Sequence, residues 1–142
     1  MEITINDLLK FDDSIIDSVK IRFNQSSVDG DPLDLYQKNP EIVNTQWLFW
    51  NKHQKYFKEG QIAVCFLKLT WDTWLLTTIK KVTKDLNVQN GICFEGEELE
   101  EYKKYYGRVI VKYHKTTQAQ GIYYKNICDE LVVNQILPVT FD

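Results

Sequence analysis

Residues 61–83 read QIAVCFLKLTWDTWLLTTIKKVT, and this stretch decides the fold. Two runs rich in apolar and β-branched residues, 61–69 and 74–83, are separated by the four residues TWDT at 70–73. Four residues is an ordinary length for a hairpin loop, and runs of this composition are typical of strands. The stretch therefore predicts two neighbouring antiparallel strands in the middle of the chain.

The N-terminal third predicts short helices around one strand. Apolar and polar residues alternate over residues 19–24, which is the period of a half-buried strand, and the alternation points Arg22 and Asn24 outward. Pro32 suits the first position of a helix, and that helix must end before Pro40. Further short helical segments are predicted over residues 7–11, with Thr4 or Asn6 as the cap, over residues 15–16, and over residues 41–50.

The C-terminal half predicts one helix between strands. A turn at Asn90-Gly91 precedes a short strand over residues 92–94. A helix is predicted from Glu97 to Tyr106 and ends at Gly107, because glycine commonly terminates helices. The last two predicted strands cover residues 108–114 and 131–137.

Length and composition indicate one domain. The chain has 142 residues, of which 44% are hydrophobic and 26% charged, which provides a buried core and excludes intrinsic disorder. The predicted elements indicate the α+β class: a single globular domain over residues 1–142, whose mixed or antiparallel sheet is strongly curved or closed into a small barrel. No apolar run approaches the ~20 residues of a membrane span, and the N-terminus lacks a signal-peptide pattern. We therefore expect a soluble cytoplasmic protein with no membrane partner.

Charge is distributed unevenly along the chain. The formal net charge is −3, yet residues 102–128 contain six Lys or Arg and no Asp or Glu, and residues 95–101 contain five Glu. The basic segment also contains six tyrosines. It thus combines cations for phosphate oxygens with aromatic rings for unstacked bases, which makes it the candidate nucleic-acid-binding segment.

One predicted strand arranges the cations on one face. Arg108, Lys112 and His114 fall on the same side of it, with Ile110 between them, because successive side chains alternate. The polar loop that follows, residues 116–121, adds amide groups able to read base edges. An ordinary amphipathic strand, with the cations in solvent and the tyrosines in the core, is the alternative interpretation.

Aromatic residues complete the predicted surface. Trp71 sits in the hairpin loop, where burial is hardest to arrange, so it is a candidate for stacking on a base. The candidate nucleic-acid-binding residues are three that would hold phosphates (Arg108, Lys112, Lys115), two that would approach base edges (Gln118, Gln120), two that would stack (Trp71, Tyr123), and His114, Arg22 and Asn24.

The sequence contains no recognisable catalytic or metal-binding motif. Its three cysteines and two histidines are too widely spaced to indicate a zinc site or a disulfide framework. Nucleophile elbow, phosphate-binding loop and metalloprotease patterns are missing from the sequence. Gly121-Ile122-Tyr123 matches only the first element of a GIY-YIG nuclease site, which also needs a catalytic Arg and a metal-binding Glu downstream. We expect no metal, no cofactor and no enzymatic activity.

Five segments carry a family resemblance. They are KIRFNQ (20–25), DPLDLY (31–36), QWLFW (46–50), GRVIVKY (107–113) and QILP (135–138). In this order they resemble the N-terminal, non-catalytic accessory domain of bacterial GIY-YIG nuclease family proteins. The resemblance implies a DNA-associated, target-reading role and a PUA-like barrel, and it assigns no catalytic residue. The nuclease domain follows this domain in those proteins, so we expect a nuclease partner in cis, beyond residue 142, or in trans.

Two functions are consistent with these patterns. The first is a DNA-binding domain that positions a partner nuclease, with the sensing of a modified base as one form of that role. The second is a protein–protein interaction or regulatory module, in which the acidic loop over residues 29–34 and the acidic segment over residues 95–101 face a basic partner.

Overall fold

The computed structural model describes residues 2–24, 31–38, 58–85, 94–114 and 122–138. Their strands are β1 (Val19–Asn24), β2 (Ile62–Lys68), β3 (Thr73–Asp85), β4 (Phe94–Glu98), β5 (Val109–Lys112), β6 (Ile122–Tyr123) and β7 (Val132–Ile136). Their helices are α1 (Ile5–Leu9), α2 (Pro32–Lys38) and α3 (Tyr124–Ile127), with 3₁₀ turns at Ile16–Ser18 and Glu100–Tyr105.

The strands form one mixed sheet in the order β6-β1-β2-β3-β5-β7. β1 and β2 are parallel, and the other pairs are antiparallel. β3 is long enough to pair with β5 through its first residues and with β4 through its last ones. Across the described residues the sheet does not close on itself. The predicted α+β class is confirmed, and so is the central hairpin, in which Lys68 pairs with Trp74.

Each face of the sheet carries a hydrophobic core. On one face the odd-numbered residues of β1 are fully buried and pack with residues of β2, β3, β5, α1 and α3. The smaller core on the other face includes Tyr36 of α2 and Cys65 of β2. Because β2 lies inside the sheet with a core on both sides, residues 62–67 form a continuous apolar run.

Local sequence signals set the start of α1 and the end of the second 3₁₀ turn, although the helix predicted over 7–11 lies two residues earlier, at Ile5–Leu9. The main-chain N–H of Thr4 donates to the Asp7 carboxylate at 2.9 Å, which marks Thr4 as the N-cap of α1. Gly107 follows the second 3₁₀ turn and has a positive φ of 73°. A Cβ at Gly107 would also lie 2.8 Å from Cε1 of the buried Tyr36 ring, so the chain requires glycine there.

The first residues of the helix predicted over 97–106 belong to a strand. Glu97 and Glu98 lie in β4, opposite Lys81 and Lys80 of β3. Cross-strand pairs of opposite charge stabilise this arrangement. The predicted helix is therefore wrong at its N-terminal end, and a 3₁₀ turn after these residues takes the place of the rest.

Three of the predicted elements fall on residues that the structure does not describe. The helix over 41–50, the turn at Asn90-Gly91 and the loop over 116–121 lie outside the described residues. Conversely, β6 and α3 have no counterpart among the predicted elements. Within the described ranges no helix is long and apolar enough to cross a membrane.

Candidate nucleic-acid interface

The β2–β3 hairpin ends in an exposed tryptophan. Trp71 lies in the loop, and 73% of its surface is exposed. The loop closes through the main-chain N–H of Leu69, which donates to the carbonyl of Thr73 at 2.9 Å. The Thr70 hydroxyl donates to the Asp72 carboxylate at 3.1 Å. The indole therefore belongs to a loop whose neighbouring residues are held by hydrogen bonds.

Asp72 joins the tip of the hairpin to β5. Its carbonyl accepts a hydrogen bond of 2.9 Å from the main-chain N–H of Tyr113. Its carboxylate lies 4.0 Å from Nζ of Lys112. Trp71 is consequently held next to the carboxyl end of β5, where Lys112 and His114 are exposed.

The side chains of β5 alternate as the sequence predicts. Val111 is fully buried, and Tyr113, directly after the strand, is 5% exposed. Lys112 and His114 point to the opposite side and are exposed. Ile110 lies on the same face as Lys112 but is buried in the smaller core. The described part of the cationic face is therefore most open near the hairpin.

Lys68, which the sequence analysis does not single out, lies at the same end of the sheet but on the face of Trp74 and Val111, opposite to that of Lys112. It is the last residue of β2, and its Nζ lies 5.9 Å from the centroid of the Trp74 ring. Its position three residues before Trp71, at the end of a predicted strand, is the signal that could have identified it. We call Lys68, Trp71, Lys112 and His114 together the hairpin end.

Arg108 has structural partners at the other end of β5. Its Nε donates to the carbonyl of Leu137 at 2.8 Å, and its Nη1 donates to the carbonyl of Lys104 at 2.8 Å. The side chain is half-buried. The guanidinium group therefore joins three segments of the chain, and these contacts occupy two of its nitrogen donors.

The expected outward position of Arg22 is wrong. Arg22 is only 4% exposed, and its guanidinium donates to the carbonyl of Phe23. The reason is that β1 lies between β2 and β6 in a sheet with a core on each face, and Arg22 is the neighbour of Cys65 in the smaller core. Asn24 is the last residue of β1, and its side chain lies outside the description.

Tyr123 and Trp71 do not form one stacking site. Tyr123 is 44% exposed in β6 and pairs with Lys20, whose Nζ lies 4.9 Å from the tyrosine ring centroid. Lys20 pairs with Ala63 near the start of β2, whereas the hairpin loop follows Lys68, five residues further on. At about 3.3 Å per residue these two backbone positions are ~16 Å apart along the sheet.

Acidic residues pair with the basic segment, some from its immediate flank and one from the N-terminal part of the chain. Nζ of Lys103 lies 2.7 Å from Glu100 and 3.4 Å from Glu98, and Nζ of Lys125 lies 2.7 Å from Asp17. The positive block at residues 102–128 is therefore partly neutralised by the fold.

The tyrosines of this segment mostly serve the core. Tyr102, Tyr113 and Tyr124 are at most 8% exposed. This agrees with the alternative interpretation, in which the tyrosines of the basic segment belong to the core. The Tyr106 hydroxyl donates to the carbonyl of Ile79 at 2.8 Å, and burial raises the pKa of Tyr106 to about 12. These four side chains stabilise the protein rather than presenting rings for bases.

A surface depression of about 400 Å³ lies beside the hairpin end. It is lined by Glu2, Ile3, Lys112, Val132, Val133 and Asn134. The lining combines one acidic with one basic side chain, so the depression does not select strongly for an anion. Lys115, Gln118 and Gln120 lie outside the described residues.

The described residues hold little reactive chemistry. They contain no group of three or more His, Cys, Asp or Glu that could hold a metal ion. Cys65 and Cys128 are buried in different cores. Burial raises the pKa of the Cys128 thiol, which disfavours its reactive thiolate form.

Comparison with protein families, with curated proteins and with solved structures gives no match for this chain.

Proposed function

We propose that this protein binds DNA through the hairpin end (Lys68, Trp71, Lys112 and His114). The observation that carries the proposal is the 73% exposure of Trp71 in a hydrogen-bonded loop, beside Lys112. An exposed indole offers a ligand a large apolar face together with a polar N–H group, which is why tryptophan is enriched at interfaces. Stacking on a base covers the indole, and the neighbouring lysines bind phosphate oxygens.

The proposal includes three polar residues that follow His114 in the sequence. Lys115 would hold a phosphate, and Gln118 and Gln120 would approach base edges. All three lie within six residues of His114 along the chain, which is within ~20 Å even when the chain is fully extended.

The proposed role is that of a target-reading accessory domain. The resemblance to the accessory domains of bacterial GIY-YIG nuclease proteins supports DNA as the ligand and a nuclease, in cis or in trans, as the partner. In this role Trp71 stacks on a base, including a modified one, and so positions the nuclease. The same resemblance favours a PUA-like barrel.

Charge reversal at Lys112 tests the proposal. Lys112→Glu should weaken DNA binding about tenfold, because it removes a phosphate contact and adds a second negative charge beside Asp72. The matched control is Lys58→Glu, the same charge change in an exposed residue at the opposite end of the sheet, before β2. Fluorescence anisotropy of a labelled oligonucleotide at about 50 and 200 mM salt measures both variants. DNA binding that is absent, insensitive to salt, or equally reduced by the two changes contradicts the proposal.

A protein-interaction module is the second candidate. Ile3 and Ile136 are 47% and 43% exposed at or beside β7, on the edge of the sheet. Exposed apolar residues at such an edge are typical of surfaces that bind other proteins. Light scattering combined with a DNA titration distinguishes the two functions, because a protein adaptor shows no salt-dependent DNA binding.

A further inference from the structure

We infer that the hairpin end binds single-stranded or locally unpaired nucleic acid in preference to a closed duplex, an inference that rests on the proposed function. The side chain that dominates this surface is Trp71, which offers a flat aromatic ring and a single N–H donor. The face of a base is accessible to such a ring only where the base is unstacked. A closed duplex exposes base edges instead, and long polar side chains read them.

The charges around Trp71 favour the same ligand. Duplex DNA carries one negative charge per ~1.7 Å of its axis, and proteins that bind it neutralise many phosphates. Lys112 has the Asp72 carboxylate 4.0 Å away, and two of the nitrogen donors of Arg108 are bound to main-chain carbonyls. A duplex laid across the hairpin end would therefore bring its phosphates close to a carboxylate. Stacking must supply most of the affinity.

The hairpin also presents the indole at low entropic cost. Asp72 fixes the loop to β5 through its carbonyl, and the Thr70 hydroxyl holds its carboxylate. Little conformational entropy of the loop backbone is then lost when a ligand binds. More of the stacking free energy is therefore retained as affinity. A ring at the tip of a loop can stack on a base of an open strand, whereas a closed duplex covers both faces of the same base.

Binding to matched oligonucleotides tests the inference. The probes are a fluorescently labelled strand of about 12 nucleotides and a duplex of the same sequence, a length that exceeds most single-strand binding sites. The single strand should bind at least about tenfold more tightly. Trp71→Ala should weaken its binding about 5- to 150-fold, which is the range found when a stacking aromatic is removed, and Trp71→Phe should retain most of it. Tyr123→Ala, an exposed aromatic residue at the other end of the sheet, is the matched control and should have no effect.

The outcomes separate the inference from the proposed function. Equal or tighter binding of the duplex, or single-strand binding that Trp71→Ala leaves unchanged, overturns the inference while DNA binding itself stands. The absence of binding to both probes overturns both. Circular dichroism and thermal unfolding test whether Trp71→Ala keeps its fold. We expect it to do so, because the side chain that is removed is exposed.

Discussion

Two tryptophans stand three residues apart on one hairpin and occupy opposite environments. Trp71 is 73% exposed, whereas Trp74 is 1% exposed. The Trp74 indole N–H donates to the carbonyl of Tyr113 at 3.2 Å, and its ring meets the Phe23 ring edge-on, with the centroids 4.8 Å apart. One residue type therefore stabilises the core in β3 and is left exposed to solvent in the loop.

The hairpin register produces this difference. Lys68 and Trp74 form the last pair of the β2–β3 ladder, so Trp74 is inside the sheet and Trp71 is beyond it. Tyr113 connects the two positions, because its carbonyl accepts from Trp74 and its N–H donates to Asp72, next to Trp71. The buried tryptophan thus supports the position of the exposed one through Tyr113.

Alanine at each tryptophan gives the largest expected contrast. Trp74→Ala should lower the free energy of unfolding by about 3–5 kcal/mol, because it leaves a large cavity and removes the hydrogen bond to the Tyr113 carbonyl. Trp71→Ala should change it by less than about 0.5 kcal/mol, as an exposed substitution does. Urea denaturation followed by circular dichroism measures both values. Similar losses for the two variants would show that Trp71 also belongs to the core.

This contrast could be predicted from the sequence because its signals are local. The apolar runs on either side of residues 70–73 predict the hairpin, and the loop position of Trp71 predicts its exposure. The alternation that buries Val111 and Tyr113 and exposes Lys112 follows in the same way from the period of a strand.

The remaining features depend on contacts that are distant in sequence. Lys125 pairs with Asp17, 108 residues away, so counting charges by segment overestimates the basic surface. Arg22 is buried because a second core covers a face that its strand alone would leave in solvent. Glu97 and Glu98 are as compatible with the start of a helix as with a strand. Their pairing with the lysines of β3 favours the strand.

A smaller change at Trp74 sharpens the comparison further. Trp74→Phe keeps most of the aromatic surface but removes the N–H donor, leaving the carbonyl of Tyr113 buried without this partner. We expect a loss of about 0.5–1.5 kcal/mol in the free energy of unfolding, the net contribution of a typical hydrogen bond. The matched change Trp71→Phe should leave stability unchanged in the same urea titration. A neutral result for Trp74→Phe would mean that shape alone, and not the hydrogen bond, fixes the buried ring.

The smallest expected effect lies between the two tryptophans, at Asp72. Asp72→Asn keeps an oxygen that can accept from the Thr70 hydroxyl and keeps the main-chain bond to Tyr113, but it removes the charge 4.0 Å from Lys112. Because an ion pair with an exposed lysine contributes little, stability should fall by less than about 1 kcal/mol. Binding of a single strand should become about two- to fivefold tighter, since Lys112 is released for a phosphate and a repulsive carboxylate is removed. Glu59→Gln makes the same charge change near the start of β2, at the other end of the sheet, and should leave the affinity unchanged. Weaker binding by Asp72→Asn would mean that the carboxylate itself positions Trp71, because charge removal alone can only strengthen contact with a phosphate.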